Sequence, residues 1–424
     1  MIELTALGRT RLRYPGESFL LRRSVDEMPG EPRPRDFCAV IDTGAAASGF
    51  AARLAAAEPD VVVLTHDDND HIAGAPRLIG ALGRRAHAPQ FWLPADWSYL
   101  IDALEAVDGD ADPAQEQEFR SAVLEGRLTT SAPEQPVPEL LSTDEPEPPG
   151  LSVSGAGARD ADDWSRIAAS VAEAVRGDRD MVEHFSDDSP DWSGEPEEIA
   201  TRVVDRARVI SDVVDGARAL GSAVHWFSVD IESPTAARRQ PWETSGAPGR
   251  LTFVNARPVR PPAVTRSSPR LLLYVALLTV QNRRALVPFV PPDPSAPASG
   301  AIIWSDSNGQ DADVSGRSGR TPWQLTGLMS APHHGSRSPA HRAIWVAHDR
   351  AEREQERTIR VLLSNNKHST ACSFTDVTPW ERGCTICPGE RATAPRQDVL
   401  AVCSQWGWRV VDNCTERGSN CSVT

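Results

Sequence analysis

Two kinds of apolar spacing alternate along the chain. Gly16-Glu17-Ser18-Phe19-Leu20-Leu21 and Cys38-Ala39-Val40-Ile41-Asp42-Thr43-Gly44 are short apolar runs ended by turn chemistry, which predicts β-strands. Ala46 to Ala57 is rich in alanine and suits a helix. Val61-Val62-Val63-Leu64 shows no polar alternation, as expected of a strand covered on both faces. Leu78, Ile79 and Leu82 then share one face of a helix. This succession implies a layered α/β fold.

From about Ser98 to Ser222 the chain turns acidic and helical in pattern, and the Pro- and Glu-rich stretch Ala132 to Gly150 reads as a solvated linker. Ile199, Val203, Ala207, Ile210, Val214 and Ala217 form one apolar stripe on a helix that begins at Pro196. Such an insertion either packs on the core or serves as an arm for a protein partner. β-character returns at Ala223-Val224-His225-Trp226-Phe227 and at Leu271 to Val280. Between them Arg238, Arg239, Arg250, Arg257, Arg260, Arg266 and Arg270 form either a solvated loop or a basic lip for a polyanion. Ala301 to Asp306 and Leu328 to Ser336 each end an apolar run in ligand-capable residues, where open α/β sheets keep their chemistry.

Charge and composition narrow the reading. The 424 residues carry a formal net charge of −15, which argues against a general nucleic-acid coat. Arg9, Arg11 and Arg13 interrupt the N-terminal stretch, so no apolar signal segment is expected there. Leu271 to Val280 is the longest apolar run and falls short of the about 20 residues that a membrane span needs. A cytoplasmic protein without a membrane partner is expected. Of seven cysteines, all but Cys38 crowd between Cys372 and Cys421. Cys384-Thr385-Ile386-Cys387 is a knuckle that Cys372 and Cys403, or Cys414 or Cys421, could complete as a structural zinc site. Reduced thiols and redox chemistry are the alternatives.

The strand at Val61 to Leu64 empties into Thr65-His66-Asp67-Asp68-Asn69-Asp70-His71. In an extended segment His66, Asp68 and Asp70 point one way and His71 turns off with the loop, so one short stretch can serve two metals. Asp306 and the pair His333-His334, each placed after another predicted strand, make a metal site the natural reading.

These residues resemble the metallo-β-lactamase fold, and within it the branch typified by the hydrolase-like domain of the DNA-uptake protein ComEC. His66-x-Asp68-x-Asp70-His71 is similar to that branch's HxDxDH motif, and His333-His334-Gly335-Ser336 to its HHGS motif. Gly16 to Leu20 and Ile41 to Gly44 resemble the leading strands, Asn282 to Val287 an asparagine-containing strand, and Leu363 to His368 a later strand with its histidine.

The resemblance implies a four-layer αββα sandwich with an acidic helical insertion and a Cys-rich C-terminal tail. Residues 1–98 and 223–370 would be the two halves of the hydrolase-like domain, 99–222 the insertion and 371–424 the tail. It also implies two divalent metals, zinc or manganese: His66 and Asp68 on one, Asp70, His71 and His334 on the other, and Asp306 bridging. Asp70, His333, Ser336 and His368 are the implied catalytic set, with His333 orienting substrate. Ser305-Asp306 departs from the family's Gly-Asp, leaving Asp311 or Asp313 as substitutes for the bridge, and His225 is the nearest counterpart of a missing family histidine. Asp68 in place of an imidazole makes the first site harder, towards manganese or magnesium. The expected function is metal-dependent hydrolysis by an activated water, on a phosphodiester or nucleic acid. The same site could act on a small ester, lactam or nucleotide. A non-catalytic role in a multi-protein bacterial defence system, through residues 99–222, is the third reading.

Overall fold

A computed structural model describes residues 1–8, 16–24, 36–83, 88–107, 113–125, 160–186, 192–229, 250–260, 267–279, 284–293, 299–309, 325–335, 341–355, 360–363, 382–385, 398–404 and 407–411. The first half of the chain gives β1 (Ile2–Ala6), β2 (Phe19–Arg23), β3 (Phe37–Ile41), α1 (Phe50–Ala56), β4 (Val61–Val63), α2 (Asn69–Ile72), α3 (Ala75–Leu82), β5 (Gln90–Pro94) and α4 (Asp96–Glu105). Helices α5 (Pro113–Glu125), α6 (Ala161–Gly177), α7 (Arg179–Ser186) and α8 (Pro196–Ala219) follow. The rest comprises β6 (Val224–Val229), β7 (Thr252–Phe253), β8 (Ala256–Val259), α9 (Pro269–Thr279), β9 (Pro288–Val290), β10 (Gly300–Ile302), β11 (Thr326–Ser330), α10 (Arg342–Gln355), β12 (Arg360–Leu363), β13 (Arg382–Cys384), β14 (Val399–Ser404) and β15 (Gly407–Val411).

The strands form a nine-stranded sheet in the order β15-β14-β1-β2-β3-β4-β5-β6-β8 and a six-stranded sheet in the order β13-β12-β11-β10-β9-β7. Successive side chains of a strand point to opposite faces, and this divides the core in two. Ala39, Ile41, Val61, Val63 and Trp92 face the smaller sheet, where they meet Leu286, Val290, Ala301, Ile303 and Leu328. Val40, Val62, Leu64, Phe91 and Leu93 face the helices. The unbroken apolar run at Val61 to Leu64 follows from this double burial.

The insertion helices pack on that second face. The predicted stripe on α8 is buried from Ile199 to Ala217, and α8 packs against α3, α4, α6 and α9. Pro196 opens the helix, Glu197 and Glu198 occupy its first turn and Arg218 its last, an order that suits the helix dipole. The Pro-rich linker at 132–150 lies outside the described residues. No described helix is long and apolar enough to cross a membrane.

Three sequence expectations change. Leu271 to Val280, read as β-structure, is helix α9 over Pro269–Thr279, with every residue from Leu271 to Thr279 buried. A helix apolar all round belongs in a core, and α9 fills the space between α4, α5, α6 and α8. Its start signal was legible: Ser268 Oγ accepts from Leu271 N at 3.1 Å, and Pro269 follows at the first helical position. Of the strand expected at Asn282 to Val287, the described residues 284–287 are not strand, and β9 begins at Pro288. Before it, Arg284 turns inward to pair with Asp96, and Val287 N donates to Asn255 Oδ1 at 2.9 Å in place of a strand neighbour. Finally, residues 399–411, placed by sequence in the Cys-rich tail, supply β14 and β15, and β14 pairs with β1.

Replacing Ser268 with alanine removes the cap of α9 and should lower folding stability by about 1 kcal/mol, read as a lower urea midpoint with an unchanged slope.

Candidate metal centre

The site forms where both sheets end. Asp42 follows β3, His66 follows β4, Asp306 follows β10, and His333 and His334 follow β11. Glu17 precedes β2, which is antiparallel to β3, so it reaches the same edge. This is the carboxyl end of the parallel strands, the usual place for a ligand in such sheets.

Asp306 stands at the centre with no exposed surface. Its Oδ2 lies 3.6 Å from His66 Nε2 and 3.5 Å from His333 Nε2, and its Oδ1 lies 3.4 Å from His71 Nε2 and 3.5 Å from His334 Nε2. One oxygen thus faces each side. Asp68 Oδ2 sits 3.6 Å from His66 Nε2, and Asp70 Oδ2 sits 3.2 Å from His334 Nε2. Both oxygens of Asp306 and the Nε2 atoms of His66, His71 and His334 are buried and find no hydrogen-bond partner among the described residues. Buried polar atoms left this way cost about 1–3 kcal/mol each, so their convergence fits a cation better than an empty core. Among the described residues the donors fall into the groups His66, Asp68, Asp306 and Asp70, His71, His334, with a third, Asp42, His66, His71, behind them.

That third group orients the first two. Asp42 Oδ2 holds His71 Nδ1 at 2.9 Å, and Thr65 donates its backbone N–H (2.8 Å) to Asp42 Oδ1 and its hydroxyl (2.8 Å) to Asp42 Oδ2. Thr65 Oγ1 also lies 3.0 Å from His66 Nδ1 and 2.8 Å from Ser305 Oγ. Glu17 Oε2 is 3.1 Å from His334 Nδ1. Carboxylates behind metal-ligating histidines fix the ring and its tautomer. The metal loop is tied down by its backbone as well: Thr43 N donates to His71 O at 2.7 Å and Glu17 N to Asp70 O at 2.8 Å. A Cβ on Gly16 would stand 2.1 Å from Asp70 O, so only glycine permits that approach.

The charges are tightly coupled. Burial, then His71, push the His66 imidazole down; the nearby Asp306 and Asp68 outweigh them and raise it to about 9. His334, lowered by burial, is carried up to about 10 by Asp306, Asp70 and Glu17. Asp306 is held well below the usual carboxylate range, burial notwithstanding, by His334, His71 and His333. Without a cation the carboxylates therefore keep protons on the rings that a cation would displace.

The predicted residues His66, Asp68, Asp70, His71, Asp306, His333 and His334 thus meet in one place. His225, on β6, joins none of the ligand groups found among the described residues, and burial lowers its pKa. Cys403 lies buried in the core between the sheets. Ser336, His368, Asp311, Asp313, Cys372 and Cys387 lie outside the described residues, and of Cys384 only the backbone is described. Sequence reading gave no role to Glu17, Asp42, Thr65 or Ser305. For Glu17 and Asp42 a signal existed, a carboxylate directly beside a glycine turn and an apolar strand. A cavity of about 250 Å³ between α5, α9 and the C-terminal end of α6, lined by Glu116, Arg120, Asp178, Arg270 and Tyr274, shares no residue with the cluster. Its charges pair internally, Arg270 Nε and the Tyr274 hydroxyl each 2.8 Å from Asp178 Oδ2.

Residues 33–157 match the family model described as the Metallo-beta-lactamase superfamily. No curated protein and no solved structure matches the chain.

Two outcomes are expected. In metal-free protein His66 and His334 stay protonated up to about 9 and about 10, against 6.5 for an ordinary imidazole. The folded chain then holds protons that the unfolded chain has released, so this stabilisation is full below 6.5 and is lost as pH rises to about 9 and 10. Urea midpoints in chelator should fall across that window, and added Mn²⁺ or Zn²⁺ should reverse the trend. Separately, Asp42→Asn should weaken metal affinity by about 10–100-fold, measured by calorimetric titration.

Proposed function

We propose that this chain is a metal-dependent hydrolase of phosphodiesters, with one divalent cation on each side of the Asp306 carboxylate. The observation that carries the reading is the division of Asp306, one oxygen towards His66 and the other towards His71 and His334, with the facing ring nitrogens buried and unsatisfied. His66 and Asp68 would hold the first cation and Asp70, His71 and His334 the second. When bound, the pair would supply Lewis acidity and a water activated near neutral pH.

The chain's own groups divide the remaining work. Asp68, Asp70 and His333 have side chains 22%, 13% and 25% exposed, whereas His66, His71, Asp306 and His334 are almost wholly covered. Substrate would therefore approach over Asp68, Asp70 and His333. At that mouth the His333 imidazole can hold a phosphate oxygen or give a proton to the leaving alkoxide. The covered walls exclude water from the rest of the cluster and strengthen the electrostatics inside. Three carboxylates among the donors suit manganese or magnesium as well as zinc, and hard cations pair readily with phosphate oxygens.

The resemblance to the DNA-uptake branch supports nucleic acid as the substrate. The net charge of −15 favours a short phosphodiester over a long duplex.

Purified protein should cleave bis(p-nitrophenyl) phosphate with Mn²⁺ or Zn²⁺, and Asp70→Asn should lose at least the about 100-fold that even an outer partner of a metal ligand is worth. Parallel assays on single-stranded DNA, a dinucleotide, a p-nitrophenyl ester and a β-lactam assign the substrate class. Cation binding with cleavage of the ester or lactam alone would refute the phosphodiester reading.

A further inference from the structure

Arg206 stands beside the apolar stripe of α8, yet its side chain is only 10% exposed. Helix α8 belongs to the insertion, far in sequence from the metal loop. Arg206 Nη1 nevertheless donates to Asp67 Oδ2 at 3.2 Å, and Nη2 lies 3.6 Å from Asp68 Oδ1. The other oxygen of Asp68 is the one that faces His66 Nε2. Asp67 Oδ2 also accepts the Thr279 hydroxyl at 3.0 Å, at the last residue of α9. The guanidinium lies 5.6 Å from the ring centroid of Trp192, just ahead of α8. Contacts on both sides therefore fix the fork.

We propose that Arg206 is a positioning residue for the first metal site, a proposal that rests on the metal-centre reading above. By pairing its charge with Asp68 Oδ1 and pinning the loop through Asp67, it turns the other oxygen, Oδ2, towards His66 and the cation. Held from behind in this way, Oδ2 is presented to the first site in one orientation, while the donors of the second site, which Arg206 does not touch, are left as they are. The insertion is then a working part of the site. A simpler role, neutralising the buried charge of Asp67, accounts for the shorter contact and not for the second fork nitrogen beside Asp68. Lysine could satisfy Asp67 as a point charge but could not span both carboxylates.

The experiment separates these roles on the full chain with Co²⁺ and Mn²⁺ as probes, by calorimetric titration and by the visible absorption of bound Co²⁺. Wild type should bind two cations, and Asp68→Asn identifies the affinity that belongs to the first site. The double variant Arg206→Met/Asp67→Asn removes both buried charges, so that it folds. In it that same affinity should fall by about 10–100-fold, the other should hold, and the Co²⁺ spectrum should change. Arg206→Lys should keep the thermal midpoint of wild type without restoring the weakened affinity. Unchanged affinities in the double variant, an equal fall in both, or full restoration by lysine would overturn the proposal with the metal centre left standing. Failure of wild type to bind any cation would instead overturn the metal-centre reading itself.

Discussion

One buried carboxylate between two sets of imidazoles is the constraint on which the rest of the structure depends. Asp306 has no exposed surface and, among the described residues, no hydrogen-bond donor on either oxygen, while Nε2 atoms of three buried histidines face it at 3.4–3.6 Å. Those separations are too long for good hydrogen bonds and leave room for an ion. Protonation of the rings satisfies the charge in the metal-free chain at neutral pH. A divalent cation on each side would satisfy both the charge and the geometry, and only then would the desolvation of so many polar atoms be offset.

Holding that arrangement requires backbone of an uncommon kind. Asp42, Ser305, His333 and His334 all adopt positive φ, between 45° and 56°. Non-glycine residues rarely sit there, at a cost of order 1–3 kcal/mol each, and such residues gather at functional sites. The compensation is visible in the loops: Thr65 and Ser305 hydroxyls converge on Asp42, and His333 N donates to Ser305 O at 2.7 Å. Gly16 and Gly74 let neighbouring strand exits press against the metal loop, which keeps its donors from spreading apart.

How much was legible follows from how local each signal is. The seven donors of the cluster stood out because each ends an apolar run with a metal-capable side chain, and this can be read along the chain. The stripe on α8 was equally local. Helix α9 was misread because burial on all sides erases the periodicity that separates helix from strand, although the Ser268-Pro269 start remained readable. Glu17, Asp42 and Ser305 act across the fold on rings supplied by other loops, and no spacing rule joins them. Arg206 was harder still, since within its helix it looks like any charged residue beside an apolar face. The likeness to the Metallo-beta-lactamase superfamily covers 33–157 and so includes the metal loop but neither Asp306 nor His334.

The pairing of β1 with β14 has a consequence for how the chain is made. Ile2 lies opposite Cys403, and the junction is fastened by Asp398, which accepts from Gly8 N across 390 positions. A chain emerging from the ribosome would complete β1, β2 and β3 early and then carry β1 with one bare edge until β14 arrives. An unpaired edge is a template for association with other chains, and contacts this distant in sequence close slowly. Synthesis of this protein therefore includes a long interval in which its first strand needs shielding.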